Sequence, residues 1–299
     1  SSRASKSVVP LPEPPPAGTT MLPADTFAGT TVIVTGGGTG LGKALAVEFA
    51  RLGAAVGILS RREEHRRAGV AAVEAVGGRA AEAGADIRDA AQIAAAFDVL
   101  EEALGPARVL VNNAAANFPV PAEDLSANGW RAVTQIVLDG TFFCSQELFR
   151  RCVAAAEPGA VCNILATQSF TGGPGMVHTA AAKAGVGNLT KTLAVEWAPH
   201  GIRVNALAPG LFPHEDMRED LKALRTEGED VDARRSPAGR LGRLHELGWA
   251  ATWLCSPFAS FVTGHTLVVD GANWLRRDFV MPEFVPVRQQ IGKAIGPRD

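Results

Sequence analysis

The chain contains no tyrosine. That removes the phenol, the side chain that joins an apolar ring to a hydroxyl able to give up a proton near pH 10, so any proton transfer in an apolar pocket falls to other groups. Cysteine is also scarce. Cys144, Cys152, Cys162 and Cys255 form no CxxC pair, and Cys144 and Cys152 lie on one expected helix. They read as buried free thiols in a reducing compartment, with neither a disulfide framework nor a metal site. No uninterrupted apolar stretch approaches the roughly 20 residues that span a bilayer. The net charge of −2 supplies no basic field to draw nucleic acid or an anionic membrane.

What is present is apolar and periodic. In 299 residues, 46% are hydrophobic, enough for one substantial core. Residues 30–34 read as a short buried strand, and 40–52 as a helix with Leu45, Phe49 and Leu52 on one face. Strand 55–59 is followed by a charged helix over 61–76, a strand leading through 78–85 to Asp86, a helix over 90–104 and a strand over 109–111. Residues 128–156 hold one or two helices and 160–165 a strand. A long helix over 180–198 carries Val186, Leu189, Leu193 and Trp197 on its apolar face; strands at 202–207 and 266–269 complete the pattern. Apolar strands alternating with helices give the α/β class: a single-domain, Rossmann-like, doubly wound parallel sheet of about seven strands with helices on both faces. Trp130, Trp197, Trp249 and Trp253 are read as packing residues. There is no internal repeat and no second domain.

Three stretches stand apart. The Pro- and Ser-rich start, residues 1–24, cannot build a core element. It reads as the remnant of a processed organelle-targeting segment or as a linker added for expression, and an ordered tail is expected to pack on a neighbouring chain, within a larger assembly. Residues 211–239 mix acids and bases beyond a strand end, as a substrate lid or a solvated excursion would. Residues 276–299 extend past the domain spanning 25–275, and Arg276 and Arg277 stand ready for a phosphate or sit on the surface.

The chemistry concentrates at the first strand-to-helix turn, Thr35-Gly36-Gly37-Gly38-Thr39-Gly40-Leu41-Gly42. Glycines there permit a tight turn, let backbone approach a pyrophosphate, and let helix and strand pack closely. The helix N-terminus then offers N–H groups and a positive dipole end to the phosphates. The second strand ends in Leu59-Ser60-Arg61-Arg62, without the acid that holds a ribose 2′-hydroxyl. Ser60 and Arg61 suit a 2′-phosphate instead, so the expected cofactor is NADPH. In the other reading, Arg61 simply starts a solvated helix.

Together, the glycine run at 35–42, Asp86-Ile87, Asn112-Asn113-Ala114-Ala115, Lys183 in His-Thr-Ala-Ala-Ala-Lys, Arg203-Val204-Asn205 and Pro209-Gly210 resemble the short-chain dehydrogenase/reductase family over residues 25–275. Within it the chain is most similar to the 2,4-dienoyl-CoA reductases, through Met21-Leu22-Pro23, NNAAANF at 112–118, IVLDGT at 136–141, AAAKAG at 180–185, and GRLG at 239–242 followed by Leu254-Cys255-Ser256. The resemblance implies that Lys183 bonds the nicotinamide ribose, Asn113 and Ala114 lie along the cofactor, Asp86 and Ile87 flank the adenine, and Pro209-Gly210 sit near the nicotinamide. It also implies an acyl-CoA substrate, reduction within fatty-acid β-oxidation, a homotetramer and no metal.

The chain departs from the family where the phenol would be. Ordinary members carry tyrosine four residues before the lysine, on the same helix face; here the residue is Thr179, a far poorer acid. The dienoyl-CoA subgroup shares that loss, but several of its members place another tyrosine at the position aligned with Gln168, and that one is absent too. Gln168 and Thr167 can donate to an enolate oxygen. Asp139 supplies the proton if its pKa rises through burial, or is a structural carboxylate if exposed or bonded to Thr141. His178 relays a proton, contacts CoA phosphates, or is a loop contact. Three functions remain: an NADPH-dependent reductase of unsaturated acyl-CoA; a catalytically impaired NADP(H)-binding structural or regulatory subunit, favoured by the missing phenols; and a reductase of another substrate, since fold alone does not fix the substrate. The tail points to the mitochondrial matrix, with the cytosol behind it; the terminal Pro297-Arg298-Asp299 does not match the Ser-Lys-Leu peroxisomal address.

Overall fold

The computed structural model describes residues 10–217, 229–276 and 286–294. Strand β1 (Thr31–Thr35) is buried at all five positions, the mark of a strand covered on both faces. It pairs in parallel with β2 (Ala55–Leu59) on one side and β4 (Ala107–Asn112) on the other. With β3 (Arg79–Ala83), β5 (Gly159–Ile164), β6 (Ile202–Pro209) and β7 (Thr266–Val269), they form one seven-stranded parallel sheet in the order β3-β2-β1-β4-β5-β6-β7. The strand order reverses between β1 and β4, which opens a crevice beyond their carboxyl ends, where doubly wound folds bind ligands.

Helices α1 (Gly40–Arg51), α2 (Glu63–Glu74) and α3 (Ala90–Leu104) make the first crossovers. Leu45 and Phe49 of α1 are fully buried, and Phe27 meets Phe49 edge-on at 5.1 Å. Helix α2 begins later than its charge pattern suggests: Arg62 is an extended N-cap, so Arg61 precedes the helix and does not start it. Residues 128–156 resolve into α4 (Ala127–Thr134), a π-helical turn Gln135–Asp139, and α5 (Gly140–Ala155). A short turn α6 (Gln168–Thr171) leads to α7 (Val177–Trp197), which starts three residues before its expected bound and so takes His178 and Thr179 onto the helix. Val186, Leu193 and Trp197 are buried on its inner face as their spacing implies, and Trp197 stacks on Phe149.

A buried polar ladder ties the sheet centre to these helices. Asn112 Nδ2 donates to Ser145 Oγ (2.8 Å) and Asn163 Oδ1 (2.9 Å), and Asn163 Nδ2 donates to Thr190 Oγ1 (2.9 Å). Past β6 come α8 (Glu229–Arg235), α9 (Leu244–Cys255) and α10 (Val287–Ala294). Helix α9 was not legible from the sequence. It packs on α1 so closely that a Cβ on Gly248 would lie 2.3 Å from Glu48 Cγ. All four cysteines are free and buried. Among the described residues no helix is long and apolar enough to cross a membrane, and no cluster of three or more His, Cys, Asp or Glu is placed to hold a metal ion.

The described part of the N-terminal tail makes contacts along its own chain. Leu11 N donates to Ala238 O (2.8 Å), Arg240 Nε to Pro12 O (3.0 Å) and Trp249 Nε1 to Thr19 O (2.9 Å), and Arg243 pairs with Glu13 at 3.0 Å. Residues 1–9 lie outside the described residues.

Two glycines test how tightly this architecture is drawn. A Cβ on Gly42 would lie 2.2 Å from Gly36 O, whereas one on Gly187 in α7 would meet Leu165 at an ordinary 3.6 Å. Gly42→Ala is expected to lose about 1–3 kcal/mol through forced backbone movement. Gly187→Ala is expected to gain about 0.5–1 kcal/mol from reduced chain entropy. Urea denaturation of both variants checks the opposite signs.

Candidate active site

The mouth of the sheet is built from the contact between β1 and β4. Thr35 Oγ1 accepts from Asn113 N and Ala114 N, each at 3.0 Å, and Asn113 Nδ2 donates to Thr35 O (3.1 Å) and Gly36 O (3.2 Å). Thr35 therefore fixes the end of β4, and Asn113 braces the glycine loop from behind. Gly36 (φ +64°) and Gly40 (φ +49°) occupy backbone space that favours glycine. A Cβ on Gly38 would lie 1.9 Å from His65 O, and one on Gly42 2.4 Å from Asn113 Nδ2. The loop is thus pressed between α2, β4 and α1, with the first N–H groups of α1 directed outward. This cradle fits a dinucleotide diphosphate, which needs close backbone approach at a helix N-terminus.

An anion already meets that terminus. Thr39, the N-cap of α1, makes no side-chain capping bond, and Asp216 Oδ2 accepts from Gly40 N at 2.8 Å instead. Asp216 and Glu215 both pair with Lys43 at 3.0 Å. Burial works to raise the Asp216 pKa, but the Gly40 N–H and Lys43 outweigh it and hold the group below its ordinary value. The described start of the expected lid, 211–217, thus reaches the glycine loop. Leu211 and Phe212 share a cavity wall with Asp232, Arg235, Ser236 and Ala238, and 218–228 lie outside the described residues.

At the carboxyl end of β2, the Ser60 and Arg61 carbonyls accept from Arg66 Nη1 at 3.1 and 2.9 Å. The Arg61 side chain is 57% exposed and approaches Asp86 at 3.6 Å, a loose pair that leaves its guanidinium reachable. Asp86 is gripped by Arg88, which holds its pKa down at about 2. Ile87 is buried against the start of α5, where a Cβ on Gly140 would lie 2.6 Å from Ile87 Cδ1.

The opposite end is organised by α7. Lys183 is buried and donates to Ile164 O at the end of β5; burial lowers its pKa to about 8. One turn earlier, Thr179 Oγ1 donates to Asn117 Oδ1 at 2.9 Å, which orients the Asn117 amide so that its NH2 points away from the threonine. His178 is fully buried, accepts from Thr179 N at Nδ1 (2.8 Å), and packs edge-on against Phe118 at 4.5 Å. Burial lowers its pKa, against the nearby Met176 and Phe118 carbonyls that would raise it. It is a buried residue at the head of α7 that contacts the loop carrying Phe118, as the loop-contact reading has it. Thr167 and Gln168 stand at the start of α6, half-buried, with Gln168 against Gly173. Asp139 ends the π-helical turn, half-buried; Thr141 Oγ1 donates to Val137 O at 2.7 Å and not to it. Leu138 packs on Gly185, which sets this turn against α7 just beyond Lys183. A π-turn inside a helix often marks a functional position.

Sequence reasoning assigned no role to Asn117 and Phe118, although both lie in the NNAAANF stretch, or to Asp216. It also passed over α10, whose Ile291 lies against Gly175 and whose Arg288 pairs with Asp124 at 2.7 Å. Phe170 of α6 lies 5.2 Å from Trp274, beyond β7. These elements surround the N-terminal end of α7 with apolar groups. Pro209 ends β6, and Gly210 N donates to Val269 O at 2.9 Å, with no room for a Cβ beside Asp270. Arg276 is exposed and donates to Arg235 O at 2.8 Å; Arg277 lies outside the described residues. Arg276 borders a cavity of about 530 Å³ lined also by Leu11, Phe212, Arg240 and Asp270, away from Lys183 and Thr179.

A family model described as enoyl-(acyl carrier protein) reductase matches residues 36–272. A probable 2,4-dienoyl-CoA reductase of Bacillus subtilis is 42% identical over 251 residues, covering 82% of this chain and 96% of its own. A short chain dehydrogenase from Bacillus anthracis superposes with a TM-score of 0.75 at 40% identity, covering 84% of this chain and 98% of its own. A gluconate 5-dehydrogenase from Burkholderia cenocepacia, in complex with NADP and tartrate, does so at 0.77 and 36% identity, over 85% and 99%. The chain belongs to the short-chain dehydrogenase/reductase family. It is an oxidoreductase of the kind that takes a nicotinamide cofactor.

The Lys183 pKa has a measurable consequence. Below pH 8 the lysine is charged in both folded and unfolded chains, and the cost of its burial is full; between pH 8 and its ordinary 10.5 only the folded chain has released the proton, and the cost fades. The stability of Lys183→Met relative to wild type is therefore expected to fall, by on the order of 2 kcal/mol, between pH 7.5 and 9.5. Denaturant melts at the two pH values check it.

Proposed function

We propose that the protein is an NADPH-dependent reductase of unsaturated fatty acyl-CoA, acting on 2,4-dienoyl-CoA in β-oxidation. The observation that carries this reading is the arrangement on α7: Lys183 retained and buried, with Thr179 bonded to Asn117 where alcohol and ketone chemistry needs a phenol. The name of the Bacillus subtilis relative supports it.

A nicotinamide cofactor held by the glycine loop and Lys183 would supply hydride chemistry at the far end of the conjugated system. The chain's own residues then meet a negative charge that collects on the thioester oxygen. Donors placed in advance, at low dielectric, stabilise such an oxyanion most effectively. The Asn117 amide, oriented by Thr179, is one donor, and Gln168 and Thr167 are others within the same wall. Lys183 holds positive charge at the ribose. Asp139, on the π-helical turn beside α7, relays the proton from water, passing one to the dienolate for each it takes from solvent. His178 keeps the α7 N-terminus in register through its bond to Thr179 N. Phe118, Phe170 and Trp274 offer apolar surface to an acyl chain. NADPH is preferred over NADH because β2 ends without an acid and leaves Ser60 and the reachable Arg61 beside a 2′-phosphate.

NADPH oxidation with a 2,4-dienoyl-CoA, followed by absorbance, tests the reading. Wild type is expected to turn over. Lys183→Ala and Asp139→Asn are each expected to lose about 100-fold or more in kcat. Arg61→Ala is expected to lower kcat/KM for NADPH roughly 10- to 100-fold while leaving NADH nearly unchanged, the cost of a charge-assisted hydrogen bond. No turnover in wild type despite NADPH binding would instead identify a cofactor-binding subunit.

A further inference from the structure

We propose that Asp216 is a tethered anion that holds the diphosphate seat at the N-terminus of α1 and sets cofactor affinity by having to leave it. The proposal rests on the family-level reading that the glycine loop takes a nicotinamide dinucleotide, and not on the choice of dienoyl-CoA or of NADPH.

The first N–H groups of a helix lack intrahelical partners and attract anions. In α1 no local residue answers them: Thr39 makes no side-chain cap and the first turn carries no acid. The cap comes from 176 positions away, as Asp216 Oδ2 accepts from Gly40 N at 2.8 Å. Lys43, in the first turn of the same helix, pairs with that oxygen at 3.0 Å and with Glu215 at 3.0 Å. The His214 ring covers Gly40, so that a Cβ there would lie 2.8 Å from the ring. A backbone N–H, a lysine and a dipole end converge on one carboxylate, the donor set that suits a phosphate oxygen.

A diphosphate drawn to the same N–H groups and a carboxylate already on one of them repel, and the Gly40 N–H cannot serve both. Residues 214–216 must therefore withdraw as the dinucleotide seats. Apparent affinity then falls by the fraction of molecules with the seat open. Glu215 supplies the contrast. It carries the same charge at the same place, but it is 81% exposed and touches Lys43, not the helix N-terminus.

Calorimetric titration of the full chain tests this with three ligands: NADPH, ADP-ribose, which keeps the diphosphate, and adenosine 2′-monophosphate, which lacks it. Asp216→Asn and Asp216→Ala are expected to bind NADPH and ADP-ribose about five- to tenfold more tightly than wild type, and adenosine 2′-monophosphate equally well. Glu215→Gln is expected to change each value less than about twofold, as a screened surface charge does. Unchanged ADP-ribose binding in the Asp216 variants would overturn the proposal. So would an equal gain in Glu215→Gln, or a gain extending to adenosine 2′-monophosphate, since either would report the general field and not occupancy of the seat. Because ADP-ribose is common to both nicotinamide cofactors, a tightening there stands even if dienoyl-CoA turnover fails.

Discussion

The contact between the ends of β1 and β4 carries the site. Thr35 Oγ1 accepts two backbone N–H groups from the turn after β4, and the Asn113 amide returns two bonds to the turn after β1. Neighbouring parallel strands that part company must send their chains to opposite faces, so the two turns would diverge without a polar clasp. With it, the glycine loop has a fixed rear wall, α1 starts at a fixed point, and the position of every phosphate-seeking N–H follows. The glycines are then demanded by distance: Gly42 touches the carbonyl of Gly36 and the clasp itself, so no side chain fits.

The loss of the phenol is absorbed at the other end of the crevice by division of labour. A tyrosine beside the lysine would have combined proton donation with hydrogen bonding to substrate. Here Thr179 spends its hydroxyl on Asn117 Oδ1, and in the proposed reaction the hydrogen-bond donor and the proton come from separate groups. Lys183 holds its place at the cost of a lowered pKa, since burial weighs against its charge while its Nζ donates to the Ile164 carbonyl. Such a residue is costly to fold around, and α7 retains it with His178 and Thr179 on the same buried stretch of helix.

Periodicity made the sheet, the helices α1, α3 and α7, and the glycine turn legible, because each depends on short-range pattern. The same pattern failed at α9, where small residues such as Gly248 and Ala251 pack directly on α1 and blur the apolar stripe. It failed at the start of α2, placed at Arg61, because charge composition cannot tell the extended N-cap Arg62 and the residue before it from a first helical turn. Lys183, Asn113 and Thr179 were legible through motifs. Asn117 and Asp216 were not, since their meaning lies in partners 62 and 176 positions away. The tail's contacts within its own chain were illegible for the same reason: its partners, 238–249, are distant in sequence and adjacent in space.

The segment after β6 shows what those distant contacts have in common. At Asp216 it meets the glycine loop, and near its far end, at Ala238, Arg240 and Arg243, it meets the tail; in each place the bonds run through carboxylates, guanidinium groups and main-chain atoms. An apolar contact opened for a ligand exposes surface to water and loses its stabilisation outright. A polar contact at a protein surface exchanges partners with water or with a ligand group of the same charge at small net cost. Anchoring the described parts of the segment by polar contacts therefore lets them be well placed and still exchangeable. At Asp216 the exchange is between like anions on one N–H, so closure of the segment and seating of the cofactor become a single equilibrium.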